Sequence, residues 1–332
     1  MSGAVVSDAV LMTLAGIAYG APDDIADYIA RAEPTSDGWS VAWLAVPADP
    51  PVNFAYMAVN GDGSAAVIAI RGTYPNPFSP AYWDDGDQDS PFGDMVNWPG
   101  ASGAKIAGGT NTGFTNIMAL QDSGGNDLAQ AVAALPETTQ VIVTGHSLGG
   151  TLAPVVALKL AELMPQRSIA STSFAGMTPG NRQFAALFSS DSAAGVVARR
   201  VYNTLDTVSY GWNKVWATHD FYQPEPQGGL VVKGLLLATE ARLKAGKYGY
   251  AAIGDPVPLK GAVKPPTIGC DLVAYVIENL HQHMPDTYLA LLGAPPLPFS
   301  ILFGTIVASR EPDTAAVSPD HHLPVVHIAG AS

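Results

Sequence analysis

The chain has 332 residues, 48% of them hydrophobic, which supplies enough apolar material for the core of one α/β domain. A formal net charge of -13 excludes the phosphate backbone of nucleic acid as a partner and gives, in bulk, no reason for adhesion to anionic lipid. The single cysteine, Cys270, excludes an intramolecular disulfide framework and reads as a small buried hydrophobe.

In chain order, Ala9 to Tyr19 reads as an N-terminal helix of the mature fold: no Lys or Arg precedes the apolar run, and acidic residues follow it. No apolar stretch reaches the roughly 20 residues of a membrane span. "WSVAWLAVP", "NFAYMAVN" and "AAVIAIRGT" are short β-like runs, the last two joined by the hairpin signal "NGDG" at Asn60 to Gly63. Residues 74–110 have no clear period; they are rich in Pro, Gly and Asp and carry Phe78, Tyr82, Trp83, Phe92, Met95 and Trp98. From Gly113 to Leu135 the pattern is helical, interrupted by "DSGGND". "QVIVT" reads as a buried strand, and "GGTLAPVVALKLAELM" as a helix with Leu152, Val155, Val156, Leu160 and Leu163 inward. "SIASTSFAG" and "VVARRVYN" are further strands, divided by a helical "NRQFAALFSS". Gly228 to Gly246 reads as an amphipathic helix within an insertion over 210–246, followed by the strand-like "YAAIGDPVPLKG". Strands alternating with helices predict a mostly parallel central sheet with an antiparallel N-terminal start and helices on both faces. With no internal repeat or low-complexity linker, the expectation is one domain over 1–310 and a tail over 311–332.

Between the strand "QVIVT" and its helix stands Gly145-His146-Ser147-Leu148-Gly149, a G-x-S-x-G pattern followed by Gly150. The spacing has a chemical reason. A serine raised above a sheet edge must adopt a sparsely populated backbone conformation, on a turn without room for side chains two residues either side. The following helix aims its N-terminus, and the Leu148 amide, at any oxyanion formed there. Ser147 is therefore a candidate nucleophile. His146 lies inside the turn, pointing away from the serine's face, and is expected to pack or hydrogen-bond beneath it.

"VIVTGHSLGGTLA" closely resembles the nucleophile elbow of the class 3 lipases. Other segments follow in matching order over roughly Ala9 to Leu292. "VIAIRGT" resembles the strand that supplies the family's other oxyanion-hole residue, here Thr73. "TNTGFTNI" is similar to the start of the helix before the elbow strand, and "SFAGMTPGN" to the family's Thr-Phe-Gly-x-Pro-x-x-Gly-Asn. "VYNTLDTV" resembles the strand end Asn-x-x-Asp-x-Val that holds the acid. The resemblance implies an α/β-hydrolase fold, a serine carboxylic-ester hydrolase and triacylglycerol as the leading substrate class; phospholipids and short-chain esters would use the same machinery.

A serine hydroxyl needs an imidazole to take its proton, and a carboxylate to fix that imidazole's tautomer. In α/β-hydrolases the acid follows the serine and the histidine comes last. Asp206 matches the family's acid, with Asp220 in "THDFY" as the alternative. "HMPDTYL" resembles the family's catalytic histidine followed at the fifth place by Tyr and Leu, which assigns His283. His281, two residues earlier, is its rival, and at most one of the two is expected to face Ser147. The backbone N–H groups of Leu148 and Thr73 are the expected oxyanion donors, with the Thr73 hydroxyl as a third.

Residues 74–110 occupy the place of the family's lid, as a mobile cover or as a fixed loop forming the acyl pocket. Asp85, Asp87 and Asp89 imitate the first half of a calcium loop but lack its Gly and Glu. His321, His322 and His327 sit in a solvated tail without a second ligand motif. The expectation is thus no cofactor and no metal, with a lipid ester and an oil–water surface as the partners. Lack of disulfides and of a convincing leader points to cytoplasmic residence, although family members are often secreted.

Overall fold

Short runs of β-branched and small apolar residues build the centre of the computed structural model, which describes residues 6–49, 51–73, 87–189, 195–264, 269–302 and 305–307. The strands used below are β1 (Trp39–Leu44), β2 (Ala55–Asn60), β3 (Ala65–Ile70), β4 (Met95–Asn97), β5 (Lys105–Ala107), β6 (Gln140–His146), β7 (Ile169–Phe174), β8 (Val197–Asn203) and β9 (Asp255–Leu259). β3 is buried at every position and β6 at all but its first, because both faces of the sheet are covered there.

Seven strands form one sheet in the order β1-β2-β3-β6-β7-β8-β9. The first three run antiparallel, and each pair from β3 to β9 is parallel. This is the mixed sheet with an antiparallel start that the α/β-hydrolase expectation required. The parallel registers set Ile70 opposite Gly145, His146 opposite Phe174, and Phe174 opposite Val201. The chain leaves β3, β6 and β8 at one edge of the sheet, and Thr73, Ser147 and Asp206 lie within the first few residues past it.

Among the described residues five helices have ten or more residues: α1 (Asp8–Ile17), α2 (Gly108–Ala119), α3 (Leu148–Leu163), α4 (Gly229–Gly246) and α5 (Asp271–His283). α1 begins at Ser7, whose side chain accepts from the Val10 amide, and packs on β3 and β6. α3 packs on β6 and β7, with Leu152, Val155, Val156 and Leu160 buried. Several details differ from expectation. Leu163, placed inward by its period, is 50% exposed, being the last residue of α3, where packing neighbours run out. The helical pattern over 113–135, by contrast, is broken at "DSGGND" as expected, and Asp127 starts Leu128–Ala133 with a capping box to Gln130. Cys270 is exposed, not buried: it is the N-cap of α5, on a surface turn.

The expected covering segment 74–110 is divided. Residues 74–86, with Phe78, Tyr82, Trp83 and Asp85, and the tail with its three histidines lie outside the described residues. Beyond them the chain is tied down. Asn53 and Gln88 exchange two buried amide hydrogen bonds of 2.9 and 3.0 Å, and Asn116 adds a third to Asn53 at 2.9 Å. β4 and β5 then form a short antiparallel pair, and residues 108–110 already belong to α2.

Candidate active site

The elbow shows the backbone that its glycines anticipate. Ser147 has φ 60° and ψ -126°, a conformation that side chains rarely adopt, between the end of β6 and the start of α3. Its N–H donates to the Phe174 carbonyl at 3.0 Å, and its carbonyl accepts from the Thr151 amide at 3.0 Å. A methyl group on Gly149 would strike the Ile70 carbonyl, so β3 can lie beside the turn only where that side chain is missing.

His283 brings the separated candidates together. Its Nε2 is 2.8 Å from Ser147 Oγ, while its Nδ1 lies 3.1 and 3.0 Å from the two carboxylate oxygens of Asp206. Since a carboxylate can only accept, Nδ1 carries the proton and Nε2 offers its lone pair to the serine hydroxyl. Both histidines of "HQH" stand on α5, not on an extended segment. On a helix residues two apart diverge by about 200°, and His281 takes a different position: its carbonyl accepts the Thr287 hydroxyl. The alternative acid, Asp220, is exposed and faces His219 at 3.7 Å.

Asp206 is fully buried and its oxygens are saturated. Besides His283 it accepts from the Val208 amide at 3.0 Å, the Ser209 hydroxyl at 3.0 Å and the Tyr288 hydroxyl at 2.7 Å. Burial alone would raise its pKa; the charge and hydrogen bond of His283, then the Tyr288 bond, outweigh burial and hold the carboxyl below its usual range. For His283 burial disfavours the charged ring, but Asp206 beside it, with Asp89 farther off, leaves the pKa above its ordinary value. An imidazolium formed by proton transfer is therefore stabilised where it forms.

The helix that carries His283 is anchored to the loop that carries Asp206. Asn203 Nδ2 donates to the Gln282 carbonyl at 2.8 Å and to Gln282 Oε1 at 2.7 Å, and the Asn203 amide donates to the Tyr288 hydroxyl at 3.0 Å. His146 lies beneath the serine. Its Nε2 donates to the His283 carbonyl at 2.7 Å, which leaves Nδ1 to accept from the Tyr19 hydroxyl at 3.0 Å. Burial first, and then His283, push its pKa down to about 3, so it is a neutral strut at ordinary pH.

Leu148 begins α3, and the amides of a helix's first turn have no intrahelical acceptor. Thr73 follows Arg71-Gly72 at the end of β3. Its hydroxyl, expected as a third oxyanion donor, donates instead to Asp89 Oδ2 at 3.3 Å. Among the described residues no group of three carboxylate, His or Cys side chains could hold a metal ion, and Asp89 of the acidic run turns to Thr73.

Three supporting residues escaped sequence reasoning. Ser209 stands three residues after Asp206, a spacing open to any turn. Tyr19 reaches His146 from α1, 127 positions away, with no local signal. Tyr288 was visible only as the fifth place after the histidine, and its bond to the acid was not.

Residues 67–211 match the sequence model of the class 3 lipases. Among curated proteins none matches the sequence. Among solved structures, M37 lipase superposes with a TM-score of 0.67 at 26% identity, over 86% of this chain and 90% of that one. The triacylglyceride lipase of Rhizomucor miehei gives 0.52 at 18% identity, over 75% and 78%. The protein MDLA of Penicillium cyclopium gives 0.51 at 18%, over 79% and 82%. At 18% these last two speak for the fold alone. No described helix is long and apolar enough to cross a membrane. By the matched segment, and by a fold shared with M37 lipase over most of both chains, the chain is similar to the class 3 lipases.

Proposed function

We propose that the chain is a triacylglycerol lipase in which Ser147, His283 and Asp206 are the catalytic triad. Ser147 Oγ attacks the ester carbonyl carbon while His283 Nε2 takes its proton; Asp206 holds the Nδ1–H and the charge that appears on the ring. The carbonyl π electrons move to oxygen, and the Leu148 and Thr73 backbone N–H groups hold that oxyanion. On collapse His283 returns the proton to the leaving alkoxide, an acyl-serine remains, and water activated by the same imidazole releases the fatty acid. One observation carries this reading: a single imidazole lies 2.8 Å from the hydroxyl on one side and within 3.1 Å of a buried carboxylate on the other.

The substrate class rests on the family resemblance. Its test is a hydrolysis profile over p-nitrophenyl esters of increasing chain length, with emulsified triglyceride and phospholipid alongside. Fastest turnover on emulsified triglyceride is expected. Preference for phospholipid would make the enzyme a phospholipase A1, and activity restricted to short, dissolved esters would make it a carboxylesterase.

A further inference from the structure

Helix α4 is unusual for a water-facing element. Val232, Leu236, Thr239 and Leu243 form its inward side; Leu243 is buried with Ala107, Val215 and Tyr250, and Leu236 packs beside them. The opposite stripe, at spacings of three and four, is Leu230, Gly234, Leu237, Ala241 and Ala245, all exposed and none polar. Val231 and Leu235 widen it. Exposure reaches 89% at Leu230 and 64% at Leu235. Lys233 and Lys244 border the stripe on one side, where Lys244 pairs with Glu240 at 2.5 Å, and Arg242 stands between Val231 and Leu235 on the other.

The cations continue past the helix end. A cleft of about 830 Å³ there is lined by Lys105, Arg182, Lys244 and Lys247, against the carboxylates of Asp94 and Glu240. Four positive and two negative groups leave an excess of two positive charges, in a chain whose net charge is -13. The charge of the whole molecule repels an anionic surface, and this end of it does the opposite.

α4 and the turn that follows it are also tied to the segment just after Asp89. The Arg242 guanidinium lies 3.9 Å from the Phe92 ring centroid, and the Tyr250 hydroxyl donates to the Pro91 carbonyl at 2.9 Å. Two residues before Pro91 is Asp89, the acceptor of the Thr73 hydroxyl.

We propose that α4 and the cationic cleft at its C-terminal end form a docking surface for an anionic lipid layer, resting on the lipid-ester reading of the active site. A helix with an apolar outer stripe and basic borders lies in a lipid–water boundary with the stripe submerged and the cations among the headgroups. Its attachment through Phe92 and Pro91 puts the edge of the active site next to the layer that holds the substrate.

The test is flotation with vesicles of phosphatidylcholine, with and without phosphatidylglycerol, in a Ser147→Ala background, alongside p-nitrophenyl butyrate hydrolysis by the same surface variants with Ser147 intact. Partition to the anionic vesicles should exceed that to neutral ones by at least about tenfold at low salt. Leu230→Ser with Leu235→Ser and Leu237→Ser should weaken it at least about tenfold. Lys244→Gln with Lys247→Gln should weaken it about fivefold per cation removed. Hydrolysis of the dissolved ester, which needs no lipid layer, should stay within about twofold for both variants and so report an intact fold. Equal partition of wild type and variants, or no charge preference, would overturn the proposal. Lipid-free self-association that the leucine variant abolishes would overturn it too, making a second copy the occupant. Hydrolysis without flotation would count against docking alone; flotation without hydrolysis would count against the triad alone.

Discussion

At the scale of single residues, the proposed mechanism rests on one imidazole with two neighbours of opposite demand. The hydroxyl of Ser147 must lose a proton, and the carboxylate of Asp206 must stay ionised to receive the resulting charge. Removing that charge while keeping the shape, in Asp206→Asn, leaves His283 with the wrong tautomer, so kcat should fall by about 10⁴ with the melting temperature little changed. Asp89 offers a milder probe. It contributes to raising the His283 pKa, so Asp89→Asn should lower that pKa. The catalytic base is the neutral ring; a lower pKa frees it at lower pH, and the acid limb of the kcat/KM profile should move downward. A limb that stays in place would remove Asp89 from the electrostatics of the site. The meeting of Ser147 and Asp206 at one imidazole was legible because each has local signals: glycines around the serine, a strand end before the acid. Tyr19 and Asp89 were not, since each acts through an approach that only the folded sheet creates.

At the scale of elements, the decisive unit is strand-turn-helix. β6 and α3 were readable from an apolar run, a glycine-rich turn and a helical period, and the two flanking parallel strands followed from alternation. What periodicity did not supply was the helical state of "HQH", or the end of α3 at Leu163. Both depend on what packs beyond the segment itself. The turn's tolerance is the sharpest test at this scale. Gly149→Ala would push a methyl group into the Ile70 carbonyl; we expect destabilisation of about 2–4 kcal/mol in urea unfolding. A shift within about 0.5 kcal/mol would show that β3 and the elbow separate readily, against the close approach seen here.

At the scale of the whole molecule, one sheet edge collects groups from positions 73, 147, 206 and 283, and the chemistry proposed there requires no metal. Prolonged treatment with EDTA should therefore leave ester hydrolysis unchanged; loss of activity restored by calcium would return the acidic run at Asp87 and Asp89 to consideration. Composition set limits at this scale without locating anything. It argued against nucleic acid, but the net charge of -13 concealed the cations beside α4, because a sum carries no positions. The central claim is that Ser147 is made reactive by His283 and by no other imidazole, and it can be read directly. A fluorophosphonate probe followed by peptide mass mapping should place the adduct on Ser147 in the wild type and in His281→Ala, with labelling lost in Ser147→Ala and His283→Ala. Undiminished labelling of Ser147 in His283→Ala, with loss in His281→Ala, would contradict the account.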